Sequence, residues 1–113
     1  MTGLNTFPSP GDHIATFETD ELTAVCPFDF GGPDYYDLTL RYDPDAAVVE
    51  SKSLKKYLEQ YRDVEISAEA LATRIHTDVV KTIDPDACYL RLEQARRGGI
   101  EETVEVGDDA LRR

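Results

Sequence analysis

From Ser51 to Ile83 the apolar residues recur every three or four positions, and on either side of that stretch they alternate. A stripe at i, i+3, i+4, i+7 gathers on one face only in a helix, and strict alternation does so only in a strand. The chain is therefore held to strands at its two ends with helices between them.

His13 to Val25 carries Ile14, Thr16, Phe17, Thr19, Leu22, Thr23 and Val25, and reads as a strand with a turn at Thr19-Asp20-Glu21. Cys26-Pro27 ends it, and Phe28 to Asp34, with Gly31, Gly32 and Pro33, is a loop. In the next strand Tyr36, Leu38, Leu40 and Tyr42 share one face, against Asp37, Thr39 and Arg41. A turn at Asp43-Pro44-Asp45 leads to a short extended return over 46–49. Leu54, Tyr57, Leu58 and Tyr61 make the stripe of a helix that opens at Ser51 and ends near Arg62-Asp63. Ser67 is the expected N-cap of a second helix, with Glu69 in its first turn and Leu71, Ala72, Ile75, Val79 and Ile83 on its buried side. Cys88 to Arg96 alternates, Arg97-Gly98-Gly99 turns, and Ile100 to Val106 is the last strand, with Glu102, Val104 and Val106 set against Thr103 and Glu105.

The order ββααββ predicts an α+β domain: an antiparallel four-stranded sheet with two helices on one face. Its open edges invite pairing with a second subunit. The domain is expected over 13–106, between a flexible leader, 1–12, and a flexible tail, 107–113. A chain of 113 residues leaves little room for a deep cofactor cleft of its own, so a site between subunits of a homo-oligomer is expected.

With 23 acidic against 12 basic residues the net charge is −11, which repels nucleic acid and anionic lipid over most of the surface. No apolar run approaches the ~20 residues of a membrane span, and the N-terminus lacks the basic-then-apolar pattern of a secretory signal. A cytoplasmic location is expected, with Cys26 and Cys88 as free thiols. Two cysteines without a CxxC pair and two histidines predict no metal site.

Three segments and one carboxylate have the residue types for chemistry. Cys26, at the end of a strand and the start of a Gly/Pro loop, is placed to be an exposed nucleophile, and Asp34 just downstream suits a general acid; the alternative is a small buried hydrophobe. Cys88, inside an alternating strand, reads as core. Glu50-Ser51-Lys52-Ser53 lies where a strand passes into a helix, so outward N–H groups, two serines and a lysine suit an anion, or else form an ordinary N-cap with a solvated face. Three of the four lysines, Lys52, Lys55 and Lys56, fall in this one segment. Arg96-Arg97-Gly98-Gly99 and Glu69 complete the set.

The run Val49-Glu50-Ser51-Lys52-Ser53-Leu54-Lys55-Lys56-Tyr57-Leu58 resembles the signature of the 7-cyano-7-deazaguanine reductases of the queuosine pathway. Cys26-Pro27 before Pro33-Asp34-Tyr35 resembles their catalytic segment, Tyr42-Asp43-Pro44-Asp45 their Tyr-x-Pro-Asp turn, and Tyr61-Arg62 and Arg97-Gly98-Gly99-Ile100 also correspond. The similarity spans roughly residues 20 to 105. It implies a tunnelling fold (T-fold), in which subunits form rings with active sites between them, and reduction of a nitrile to a primary amine by two NADPH. By the same resemblance Cys26 forms a covalent thioimide, Asp34 protonates the nitrogen, and Glu69 reads the ring. Glu50 and Ser51 are substrate residues, and Lys52, Lys55 and Arg97 hold NADPH. Lys56 stands where the signature usually has Leu or Tyr, and two further features depart from the family pattern. Ala68 stands where a His usually precedes the substrate-binding Glu, and His76, two turns beyond Glu69, is a poor substitute. The gap from Cys26 to Asp34 is one residue longer than usual, which makes Asp29 a rival for the acid role.

Two other readings stay open at this level. Small archaeal relatives add ammonia to the same nitrile in tRNA and form an amidine, though they generally lack the lysine signature. A non-catalytic T-fold protein would hold a purine or pterin through Glu69 alone.

Overall fold

The computed structural model describes residues 3–28 and 31–112. Its elements are β1 (Thr6–Pro8), β2 (Ala15–Val25), β3 (Pro33–Asp43), β4 (Ala47–Val49), α1 (Ser51–Glu59), α2 (Ala68–Ile83), β5 (Ala87–Arg97) and β6 (Ile100–Gly107). A 3-10 turn, Gln60–Asp63, extends α1, and another, Asp109–Leu111, follows β6.

Four strands form one antiparallel sheet in the order β2-β3-β5-β6, so each strand lies beside its nearest sheet neighbour in sequence and both helices fall within the single crossover from β3 to β5. The expected turn at Thr19-Asp20-Glu21 is a register shift between Thr19 and Leu22 that leaves β2 unbroken. Such a bulge adds residues to one strand without ending the pairing, so a sequence pattern reads it as a turn.

The inward face of the sheet carries Leu22, Ala24, Leu38, Leu40, Tyr42, Cys88, Leu90 and Leu92. These pack in one core with Leu54, Tyr57 and Leu58 of α1 and with Leu71, Ala72, Ile75, Val79 and Ile83 of α2. Both helices thus cover one face. Tyr61, just past α1, is buried edge-on against Tyr57, and the Tyr57 hydroxyl donates to Asp78 of α2 at 2.5 Å. The one proton of Tyr57 is used there, so Tyr61 is the donor in the 2.8 Å contact between the two hydroxyls.

Both ends of the chain depart from the expected looseness. Within the expected leader, Thr6–Pro8 pairs with Ala47–Val49 in a second, two-stranded sheet, in register Thr6 with Val49. Three residues give too short an alternation to register as a strand, and their partners are 39 to 43 residues away in sequence. The expected tail docks on the outer face. Asp108 accepts from the Cys88 N–H at 2.8 Å, and Arg41 donates to the Leu111 carbonyl at 2.7 Å. Arg112 grips Glu105 with two nitrogens, at 2.6 and 2.7 Å. Arg41 is consequently buried on the face that alternation marks as polar, and Tyr89, whose ring lies under the Arg41 guanidinium, is buried beside it.

Candidate active site

Cys26 follows the last residue of β2, and its surroundings are set by an unusual splice. The Val25 N–H donates to the Val64 carbonyl at 2.9 Å, and the Ile66 N–H donates back to the Val25 carbonyl at 3.0 Å. Residues 64–66 thus run parallel beside the end of β2. The next residue, Ser67, caps α2, its hydroxyl accepting from the Ala70 N–H at 3.2 Å. The first turn of α2, with Glu69, is thereby delivered beside Cys26 as a consequence of backbone pairing.

Asp34 enters from β3, paired in register with Ala24, and is only 4% exposed. Its partner is Arg97, at the end of β5. Arg97 donates through Nη1 to Asp34 Oδ1 and through Nη2 to the Gly31 carbonyl, tying the acid to the loop that follows Cys26. The position of Arg97 depends on the turn behind it. Gly98 and Gly99 have φ of +58° and +83°, the left-handed pair that a two-residue hairpin turn demands.

Cys26, Pro27, Phe28, Asp34, Ser67, Ala68, Glu69, Gln94, Arg97 and Glu102 line one cleft of about 300 Å³. The thiol accepts a long contact, 3.4 Å, from the Phe28 N–H. Across the sheet beneath runs one row in register, Leu22, Tyr36, Gln94 and Glu102. Tyr36 is buried and donates to Gln94 Oε1 at 3.3 Å. Its phenol is pushed well above the ordinary range, first by burial and then by the acidic groups around it, Asp34, Glu102, Cys26 and Glu69. Tyr36 is therefore a neutral donor, held under the point where the four acidic groups converge.

Glu69 and Glu102 meet as a hydrogen-bonded pair of carboxyls. Glu102 is raised above the usual carboxylate value by that bond, by burial and by the Glu69 charge, whereas Glu69 is lowered by the same bond. A carboxyl donor facing a carboxylate acceptor accounts for both directions.

The structure thus brings together four of the residues singled out by sequence: Cys26, Asp34, Glu69 and Arg97. Arg97 stands with the cysteine and Asp34, apart from the lysines with which it was grouped. Asp29, the rival acid, lies outside the described residues. Ala68 is buried in the cleft wall, and His76 is engaged elsewhere, 3.1 Å from the Cys88 carbonyl. Cys88 is buried, and burial lifts its thiol to about 12. Among the described residues, no cluster of His, Cys, Asp and Glu suits a metal ion, and no helix is long and apolar enough to cross a membrane.

The remaining sequence candidates lie elsewhere. Ser51 and Lys55 line a second cleft of about 310 Å³ between α1 and β2, together with Phe17, Glu18, Leu22 and Arg62. The expected anion site at the start of α1 is already filled. The Glu50 carboxylate accepts from the Lys52 N–H at 2.7 Å and from the Ser53 N–H at 2.8 Å. Ser53 is buried, donating to the Glu50 carbonyl at 2.8 Å and accepting from the Asn5 N–H at 2.9 Å. Of the two readings of this segment, the N-cap is the one present in the chain. What remains for an anion is the exposed side chains of Ser51, Lys52, Lys55 and Lys56.

Sequence reasoning missed Gln94, Tyr36 and Glu102 as site residues. For Glu102 a signal existed, because the alternation of β6 puts this carboxyl on the same face as Val104 and Val106.

Comparison with known proteins gives the family of the chain. Residues 33–112 match the model of the family described as QueF-like protein. The NADPH-dependent 7-cyano-7-deazaguanine reductase of Syntrophus aciditrophicus is 46% identical over 106 residues, covering 91% of this chain and 75% of that protein. The enzyme of the same name from Chlorobium luteolum is 39% identical, covering 94% of this chain and 90% of its own. Among solved structures, the apo form of an archaeosine synthase described as QueF-Like superposes with a TM-score of 0.77 at 24% identity, over 83% of this chain and 91% of that one. That likeness speaks to the T-fold alone. On the family match and the reductase relatives together, the chain belongs to the QueF-like family.

Proposed function

We propose that this chain reduces the nitrile of 7-cyano-7-deazaguanine to the aminomethyl group with NADPH, through a thioimide on Cys26. The observation that carries the reading is the convergence of Cys26, Asp34 and Glu69 on one cleft from three separate segments of the chain, in a chain akin to reductases of that name. The residues divide the chemistry as follows. Cys26 Sγ adds to the nitrile carbon, a C–S bond forms, and one C–N π bond becomes an N–H bond. The proton that leaves the thiol reaches the nitrogen by way of Asp34. Arg97 holds Oδ1 of that carboxyl, so its remaining oxygen exchanges the proton from a fixed position. Overall the nitrile gains two hydrides and two protons, and the C–S bond breaks again to return the thiol. Glu69 accepts from the ring N–H and amino group, a two-point, charge-assisted pairing.

NADPH supplies the hydrides when bound. The exposed Lys52 and Lys55 fit its phosphates as mobile point charges. Arg97 would serve beside them, Ser51 stays with the substrate, and Glu50 supports the segment by capping α1. Because the lysine cleft and the cysteine cleft are distinct within one chain, the reading calls for a homo-oligomer in which the lysines of one subunit complete the site of the next. The open edges of β2 and β6 offer the pairing surface for it. The substrate is the free base in the cytoplasm, since a net charge of −11 opposes unassisted contact with tRNA.

The test is oxidation of NADPH by the purified chain with free 7-cyano-7-deazaguanine in high salt. Two NADPH consumed per nitrile, lost in Cys26→Ala, is the expected result. An adduct on Cys26 without NADPH consumption would instead point to amidine formation, and neither signal to a binding role.

A further inference from the structure

Glu102 has no part in the mechanism above, yet it lines the same cleft as Cys26 and Glu69, and hydrogen bonding to the Glu69 carboxyl raises it above the ordinary carboxylate value. Two carboxyl groups hydrogen-bond to each other only when one carries a proton, because two carboxylates have no donor between them and repel. The pair therefore offers an array that a lone glutamate lacks: acceptor oxygens on one member and an O–H donor on the other. A guanine-type ring presents the complement on a single edge, with two donors, the amino group and the ring N–H, followed by an acceptor, the carbonyl oxygen.

We propose that Glu69 and Glu102 recognise that whole edge as one proton-sharing pair, Glu69 accepting from the amino group and ring N–H and Glu102 donating to the ring carbonyl. The idea rests on the assignment of a deazaguanine substrate and adds the residue that reads its carbonyl. In the free protein the proton of Glu102 is satisfied by Glu69, and the incoming carbonyl takes that place while the ring donors satisfy Glu69.

The surroundings suit a shared proton. Facing Glu102 across the cleft are Glu69 from α2, Asp34 and Tyr36 from β3, Cys26 at the end of β2 and Arg97 from β5. Gln94 is its partner in register, and the Arg97 guanidinium is committed to Asp34 and the Gly31 carbonyl. Glu69 and partial burial are what favour Glu102 retaining the proton.

The experiment is equilibrium binding of 7-deazaguanine, which lacks the nitrile and needs neither Cys26 nor NADPH, to the full chain and to Glu102→Gln and Glu102→Leu across pH. 7-Deazaadenine, without the carbonyl and ring N–H, serves as control. The parent is expected to prefer 7-deazaguanine and to lose affinity as the pH rises and Glu102 gives up its proton. Glu102→Gln, whose amide donates at every pH, keeps affinity within a few-fold and loses that alkaline decline. Glu102→Leu binds about 10- to 100-fold more weakly, the range expected when a hydrogen-bond partner is removed and the ring carbonyl is left unpaired. An alkaline decline that persists in Glu102→Gln overturns the proposal, and so does unchanged affinity in a folded Glu102→Leu. If Glu102→Leu does not fold, the pH profile of Glu102→Gln decides. A parent that fails to bind 7-deazaguanine yet consumes NADPH with the nitrile overturns this recognition and leaves the reductase standing. Binding that follows Glu102 as described, with no NADPH consumption, does the reverse.

Discussion

Arg97 and Asp34 are paired across 63 residues of sequence, and the same guanidinium that holds Asp34 Oδ1 also holds the carbonyl of Gly31. One side chain thus fixes both the acid and the loop that follows the nucleophile. Replacing Arg97 with Met is expected to lower kcat about 100-fold, the usual consequence of an ångström-scale misplacement of a reacting group. Arg97→Lys should recover little of it, because an ammonium cannot make two divergent, planar contacts. Steady-state NADPH oxidation measures both, and an unaltered kcat in Arg97→Met would remove Arg97 from the positioning of Asp34.

Glu50 supplies a pH signature away from the chemistry. The Lys52 and Ser53 N–H groups hold its carboxyl below the ordinary value. Its folded value is thus depressed relative to the unfolded one of about 4.3, and the stability it contributes is complete above that value and is lost as the pH falls through the folded one. Glu50→Gln is expected to unfold at lower urea than the parent at pH 7, with the difference shrinking below about pH 4. A difference that stays constant down to the acid limit would show that the ionised cap is not its source.

Gly107 ends β6 at a φ of +102°, and a Cβ there would sit 2.1 Å from the Cys88 carbonyl oxygen and 2.6 Å from His76 Nε2. Gly107→Ala therefore meets a backbone atom as well as an unfavourable dihedral, which by itself costs about 1–3 kcal/mol. A drop in Tm of at least ~4 °C is expected. An unchanged Tm would mean that β6 ends differently in solution.

The fold was legible because it is built from long, regular patterns. Tyr36 to Tyr42 and Leu71 to Ile83 each show only one period, and the order of such segments leaves few packings. The ends were not legible, because their order comes from distant partners: Thr6–Pro8 needs Ala47–Val49, and the tail needs Arg41 and Cys88. For the site, residue type and motif found Cys26, Asp34, Glu69 and Arg97. They could not reveal that Glu50 occupies the helix terminus taken for an anion site, because a cap and a ligand site share the same residues. Nor could they show that residues 64–66 bind alongside β2, which is what sets Glu69 beside Cys26.

The central claim is that Cys26 forms a carbon–sulfur bond with the nitrile, and intact mass measurement tests it most directly. Incubated with 7-cyano-7-deazaguanine and no NADPH, the chain is expected to gain the full mass of the base, since addition expels nothing. Cys26→Ala should gain none, and NADPH should return the adduct to the mass of the free chain. A mass gain that survives in Cys26→Ala, or turnover with no adduct on Cys26 under any condition, would contradict the account.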